Sequence, residues 1–189
     1  PPTYNISKNT LRFSGVNQIL RNQVRIGYTG GTYFQVSTIN DSNQSYQISD
    51  HWSNSLATKN SFTLISRYNS QGFEFFGENA NFGLGGRISY GGLTDFIVGG
   101  LNIFVVDWTY SGGSINIRLN GNFKASGTTF STGFVSTPVE LQVLGSARYT
   151  PNVPDSDFDI AEMLIYNRRL STAEIEFVEN YLNNKYSIY

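Results

Sequence analysis

Residues 158–189 read FDIAEMLIYNRRLSTAEIEFVENYLNNKYSIY, and the fold follows from how this stretch divides. Phe158 to Tyr166 is apolar on both faces apart from Asp159 and Glu162, the pattern of a strand covered on both sides. Asn167-Arg168-Arg169 turns the chain, and Leu170 to Ile175 supplies a helix entry. Ser171 is placed to cap the free amides, Glu174 to reach back three residues, and Leu170 to staple onto Ile175. Beyond it, Ile175, Val178 and Leu182, with Phe177 and Tyr181 a turn apart, give the helix a wide apolar stripe. Such a stripe needs a sheet beneath it. In a chain otherwise rich in strand signals, the helix reads as the lid on a β-sandwich.

Upstream, short alternating segments are separated by turns. Leu11 and Phe13 form a first strand; Val24, Ile26 and Tyr28 form a second; Gly30-Gly31 turns into Tyr33–Ile39. The polar run from Asn40 to Ser45 reads as a loop that continues with aromatics to Trp52. Phe62–Tyr68 and Phe73–Phe76 pair as a hairpin, and a loose Gly-rich stretch from Gly77 to Gly86 precedes the short Arg87–Tyr90. Ile103–Tyr110 is the most hydrophobic run, with Asp107 its one charge. In the segment after it, Ile115, Ile117 and Leu119 face one way, and Asn116, Arg118 and Asn120 the other. Asn120-Gly121 is the preferred two-residue hairpin turn, because both positions must tolerate positive φ. Val139, Leu141 and Val143 add a strand, and a long loop with Pro151 and Pro154 leads to Phe158. The pattern is all-β: two packed antiparallel sheets with one C-terminal helix, in a single domain over residues 1–189.

Three segments carry a family resemblance. Asp159-Ile160-Ala161-Glu162, Ile165-Tyr166-Asn167-Arg168, Leu170-Ser171 and Glu174-Ile175 together resemble the closing segment of laminin-G-like domains, which belong to the concanavalin A-like jelly rolls. Val105–Gly113 with Ile115–Gly121 resembles the central hairpin of that family, and Leu11–Asn17 its opening strand, with Ser14 where the family more often has an acid. The resemblance implies a jelly roll and a recognition role, and it implies calcium in rim loops, without assigning ligands on this chain. It also treats Glu162 as framework.

Composition narrows the function classes. Charged residues are only 14% of the chain, against about 25% in an average soluble protein, so the surface must be largely Asn, Ser, Thr, Gln and Gly. Thirteen basic residues against 14 acidic ones leave no electrostatic footprint for nucleic acid or an anionic membrane. With no cysteine, a disulfide scaffold, a zinc–thiolate cluster and thiol catalysis are excluded. No apolar run reaches membrane-span length, and no leader pattern is visible. The Pro1-Pro2 start suggests a processed chain or a piece of a longer polypeptide or assembly.

Catalysis has little support. The Glu-x-Asp-x-Glu strand of related jelly-roll glucanases is missing: Asp155-Ser156-Asp157-Phe158-Asp159 has the spacing without a Glu, and Glu174-Ile175-Glu176 lies in the helix. A Ser-His-Asp site would have to use the single His51, in no favourable serine context. The expectation is a protein that is not an enzyme.

Two kinds of binding chemistry remain. Asp155, Asp157 and Asp159 alternate as calcium ligands do, although the same residues also serve to shape a turn, with Asp159 bonding backbone amides. Glu162 on an apolar strand calls for a partner, and Arg148, Arg168 or Arg169 is expected. Aromatic residues reach 15%, and sugars bind where an aromatic platform meets amide or carboxylate groups. His51, Trp52, Tyr90, Tyr110, Tyr149 and Asn152 are the candidate ligand rim, whereas Trp108 belongs to the core. Two functions stay open. One is a module binding carbohydrate or glycoprotein at an extracellular, cell or virion surface. The other is a structural or adhesion subunit of a virion, fibre or cell-surface assembly contacting other protein subunits.

Overall fold

The computed structural model describes residues 3–6, 10–13, 19–24, 30–39, 46–52, 61–66, 73–78, 84–90, 95–109, 114–128, 139–144 and 158–189. Side chains are described for 4, 6, 10, 11, 30–38, 95–109, 114–127 and 159–189. In chain order the strands are β1 (Thr3–Asn5), β2 (Thr10–Phe13), β3 (Ile19–Val24), β4 (Gly30–Ile39) and β5 (Tyr46–Trp52). They continue as β6 (Ser61–Ser66), β7 (Phe73–Glu78), β8 (Leu84–Tyr90) and β9 (Leu101–Thr109). The last are β10 (Ser114–Leu119), β11 (Asn122–Thr128), β12 (Val139–Leu144) and β13 (Phe158–Tyr166), followed by helix α1 (Thr172–Tyr186).

They form two antiparallel sheets. One has seven strands in the order β1-β2-β13-β4-β9-β10-β11, and the other six in the order β3-β12-β5-β6-β7-β8. Strands β4 and β9 lie at the centre of the first sheet, and their side chains show why. On one face Phe34, Val36, Ile103 and Val105 are buried beneath Leu170 and the inward stripe of α1, Ile175, Val178 and Leu182. On the other face Tyr33, Phe104, Val106, Trp108, Ile115, Ile117 and Leu119 are buried away from the helix, toward the second sheet. Each apolar side chain so enclosed contributes roughly 1.5–3 kcal/mol of transfer free energy. The inner face also holds a polar ladder, with the Tyr33 hydroxyl donating to Gln35 Oε1 and Gln35 Nε2 donating to Ser37 Oγ at 2.9 Å.

Local chemistry matches the reading in several places. Ser171 Oγ accepts from the Glu174 amide at 3.3 Å, and Glu174 Oε2 accepts from the Ser171 amide at 2.8 Å, a complete capping box. Asn120 and Gly121 turn β10 into β11 with φ of 49° and 76°.

Elsewhere the structure corrects the reading. Phe177 and Tyr181 are 75% and 50% exposed, because at 3.6 residues per turn Phe177 sits about 200° around the helix from Ile175. Residues 46–52, read as loop, form strand β5. Gly30-Gly31 is not a turn but the start of β4, where a Cβ on Gly31 would stand 2.3 Å from the Trp108 ring. The second strand runs Ile19–Val24, leaving Ile26 and Tyr28 outside the described residues, and β8 begins at Leu84, inside the Gly-rich stretch. Glu162 pairs with neither Arg168 nor Arg169, which meet Glu174 and Asp107, and Arg148 lies outside the described residues. Lys185 Nζ lies 2.9 Å from Glu162 Oε2 and the Tyr186 hydroxyl donates to the same atom at 3.0 Å, both from the last turn of α1.

Candidate functional site

Strand register fixes where the candidate ligand residues stand. In the six-stranded sheet Trp52 pairs with Glu140, and His51 with Leu141 and Phe62. Tyr90 pairs with Phe73, Phe73 with Ser66, and Ser66 with Tyr46, the opposite terminus of β5. His51 and Trp52 therefore lie at one end of the sheet and Tyr90 at the other, about 17 Å apart along the strands. The links Phe13–Ile19 and Ile39–Tyr46 pass from sheet to sheet over a few residues each. At about 3.5 Å per residue they are too short to also run the length of a strand, so they mark one common end of the sandwich. Tyr90, Leu144 and Phe158 share that end. Trp52, Val24, Gly30 and Thr109 share the other.

Tyr110, Tyr149, Asn152, Asp155 and Asp157 lie outside the described residues; Tyr110 follows Thr109 in the chain, and the other four fall between Leu144 and Phe158. Of the six aromatic and amide candidates, the described backbone sets His51 and Trp52 at one end of the sheet and Tyr90 at the other. Asp159 is described and fully buried: the Thr38 hydroxyl donates to its Oδ2 at 3.2 Å, and its own amide donates to Thr38 Oγ1 at 3.0 Å.

Among the described side chains, polar groups gather in a cleft of about 640 Å³ on the outer face of the seven-stranded sheet. Its floor is the outward side of β9 and β10, Asp107, Asn116 and Arg118, and its walls are Arg168 to Thr172, Glu174, Ile175 and Phe123. Register explains the floor: Asn116 stands opposite Asp107, so the polar half of the β10 alternation meets the one charge of β9. Asp107 Oδ1 accepts from Arg169 Nε at 2.5 Å and from Asn116 Nδ2 at 3.0 Å, while Arg169 NH1 donates to Ser114 Oγ at 2.7 Å. Burial pushes the Asp107 carboxyl above the ordinary range, against the lowering pull of Arg169, Asn116 and Arg118.

Two further pairs close the cleft. Arg118 donates through Nε and NH2 to Glu179 Oε2 at 3.0 and 2.8 Å, and through NH2 to the Gly121 carbonyl at 3.0 Å. Burial raises the Glu179 carboxyl, with Arg118 opposing, and Glu179 in turn holds Arg118 above its ordinary value despite burial. At the mouth, Arg168 grips Glu174 with two bonds of 3.0 and 2.6 Å, which with the Ser171 bonds lower Glu174 to about 2. Each carboxylate here is held by a guanidinium. Sequence reasoning passed over this cleft. The signals present were the lone Asp107 in an apolar run and the polar side of β10 facing it.

No family model and no curated protein matches the chain. Solved structures do share its fold. The botulinum neurotoxin serotype D binding domain aligns over 92% of this chain at 11% identity with a TM-score of 0.69. This chain spans 42% of that domain's length. The heptameric SAP-like pentraxin of Limulus polyphemus aligns over 90% of this chain and 81% of its own, at 11% identity and a TM-score of 0.66. The Ruminococcus gnavus IT-sialidase CBM40, solved with α2,3-sialyllactose, aligns over 85% of this chain and 98% of its own, at 13% identity and a TM-score of 0.59. At such identities the likeness establishes architecture: this chain has a jelly-roll β-sandwich fold with one helix packed on its seven-stranded sheet.

Proposed function

We propose that the whole chain is one non-catalytic, laminin-G-like recognition module, part of a longer chain or assembly, that binds carbohydrate or a glycosylated surface outside the cell, on a cell or on a virion. The likeness to a compact carbohydrate-binding module, matched over almost its entire length, carries this reading. The fold supports it too. Helix α1 covers part of one outer face, and the candidates whose backbone is described, His51 and Trp52 at one end of the sandwich and Tyr90 at the other, are of the aromatic type that suits sugar rings. His51, Trp52 and Tyr110 form one candidate set; Tyr90, Tyr149 and Asn152 form the other. Calcium belongs with the second set, through Asp155 and Asp157, with buried Asp159 anchoring the segment.

A glycan array tests the proposal, with Trp52→Ala and Tyr90→Ala probed separately, with and without a calcium chelator. Selective binding lost in one variant and kept in the other assigns the end. Absence of selective binding in the wild-type chain would sink the reading. A structural or adhesion subunit is the second reading, favoured by the exposed Phe177 and Tyr181 one turn apart on α1. A stable homo-oligomer dispersed by Phe177→Asp, with no glycan signal, would establish it instead.

A further inference from the structure

We propose that the cleft between α1 and the β10–β11 hairpin is a second carbohydrate site, built for the vicinal hydroxyls of a neutral sugar. Several polar atoms of the cleft are left over once its internal bonds are made. Asp107 keeps only 4% of its side-chain surface, yet both its hydrogen bonds fall on Oδ1. Among the described residues none donates to Oδ2, and Asp107 is one of the residues lining the cleft. Asn116 uses its Nδ2 on Asp107, and its Oδ1 accepts from no described residue. Arg169 spends Nε and NH1 on Asp107 and Ser114, leaving NH2 without a described acceptor. A carboxylate oxygen, an amide oxygen and a guanidinium N–H thus share one hydrogen-bonded cluster, fixed by bonds on their other atoms. Burial of such a carboxylate is costly unless its open oxygen meets water or a ligand.

This set selects among ligand chemistries. Adjacent sugar hydroxyls each donate and accept, so a diol can donate to Asp107 Oδ2 and Asn116 Oδ1 while accepting from Arg169. An oxyanion offers too few protons for the two acceptors, and its negative charge would face Asp107 directly. Every guanidinium around the cleft is also already matched by a carboxylate: Arg169 by Asp107, Arg118 by Glu179, Arg168 by Glu174. The Phe123 ring, 57% exposed on the hairpin, supplies the apolar platform against which the C–H face of a pyranose stacks. The volume falls within the roughly 300–1,000 Å³ of small-molecule sites. This cleft shares no residue with the loop-end sets, so it deepens the carbohydrate reading without depending on which end binds.

The test is a ¹H–¹⁵N titration of the intact chain with methyl α-mannoside, methyl α-fucoside, methyl β-galactoside and methyl β-glucoside, and with sodium phosphate as the anionic probe. The expected result is saturable shifts at Asn116, Arg118, Phe123 and Arg169 with at least one glycoside and none with phosphate. Phe123→Ala, at an exposed position, weakens that binding by about three- to tenfold. Asp107→Asn, which keeps the shape and an acceptor for Arg169, weakens it by about tenfold or more. Both variants are first checked for a native spectrum, and Phe123→Ala alone decides if Asp107→Asn does not fold. Trp52→Ala and Tyr90→Ala leave the shifts unchanged. No shift with any glycoside, equal shifts with phosphate, or unaltered affinity in Phe123→Ala overturns the proposal. Array binding that survives in that case leaves the loop-end reading standing by itself.

Discussion

Replacing Glu179 by alanine tests how the helix is tied to the hairpin. The Arg118 and Glu179 side chains keep 11% and 2% of their surface, so the substitution strands a guanidinium in a place largely shut off from water. Breaking one partner of a buried ion pair costs about 3–5 kcal/mol. Two features pull the figure down: Arg118 retains the Gly121 carbonyl at 3.0 Å, and Glu176, 3.9 Å away and more than half exposed, can swing in for about 0–1 kcal/mol. The expected loss is therefore about 3 kcal/mol, or roughly 6–12 °C in Tm at this chain length. Replacing both partners, as Arg118→Met with Glu179→Leu, removes the stranded charge, and its stability should return to within about 1 kcal/mol of wild type. Urea denaturation followed by far-UV circular dichroism gives both numbers. A loss below about 1 kcal/mol for Glu179→Ala, or a double variant as unstable as the single one, refutes the reasoning.

Three further outcomes follow from the geometry. Ser171→Ala removes the capping oxygen and half of the reciprocal box, and should cost about 1 kcal/mol in denaturant unfolding. Gly31→Ala places a methyl carbon 2.3 Å from the packed Trp108 ring, and should lower stability by about 1–3 kcal/mol or block folding, read as loss of the native Trp108 fluorescence. Glu174 has its folded-state carboxyl lowered to about 2, chiefly by Arg168 and then by Ser171. Its contribution is thus present above its unfolded value near 4.5 and is lost as pH falls toward 2, and a side-chain carboxyl NMR titration with a midpoint near 4.5 would contradict the pairing.

The architecture was legible where the physics is local. The spacing Ser171-x-x-Glu174, the Asn120-Gly121 turn and the alternation across Ile115–Leu119 each depend on a few neighbouring residues, and the structure keeps all three. What failed depended on distant partners. Glu162 found Lys185, 23 residues on, because the length and direction of α1 bring its last turn over β13. Phe177 looked apolar enough for the core, but the helix already filled its inward stripe with Ile175, Val178 and Leu182. Residues 46–52, which continue the polar run with aromatics and read as loop, are placed in a sheet by pairing with β6 and β12. The outer-face cleft was invisible for the same reason: Asp107 and Arg169 are 62 residues apart and meet only when β9 and the chain after β13 come together.

The placement of Trp52 and Tyr90 at opposite ends limits what one molecule can hold. No mono- or disaccharide spans that separation, so ligation of such sugars at both ends would make the chain a divalent bridge between two separate glycans. Bridging converts weak single contacts into avidity only when the linked surfaces are spaced to reach both ends, and it would show as agglutination of glycan-coated beads. If one end alone binds, the other is left to face whatever the rest of the assembly presents, and the same beads stay dispersed.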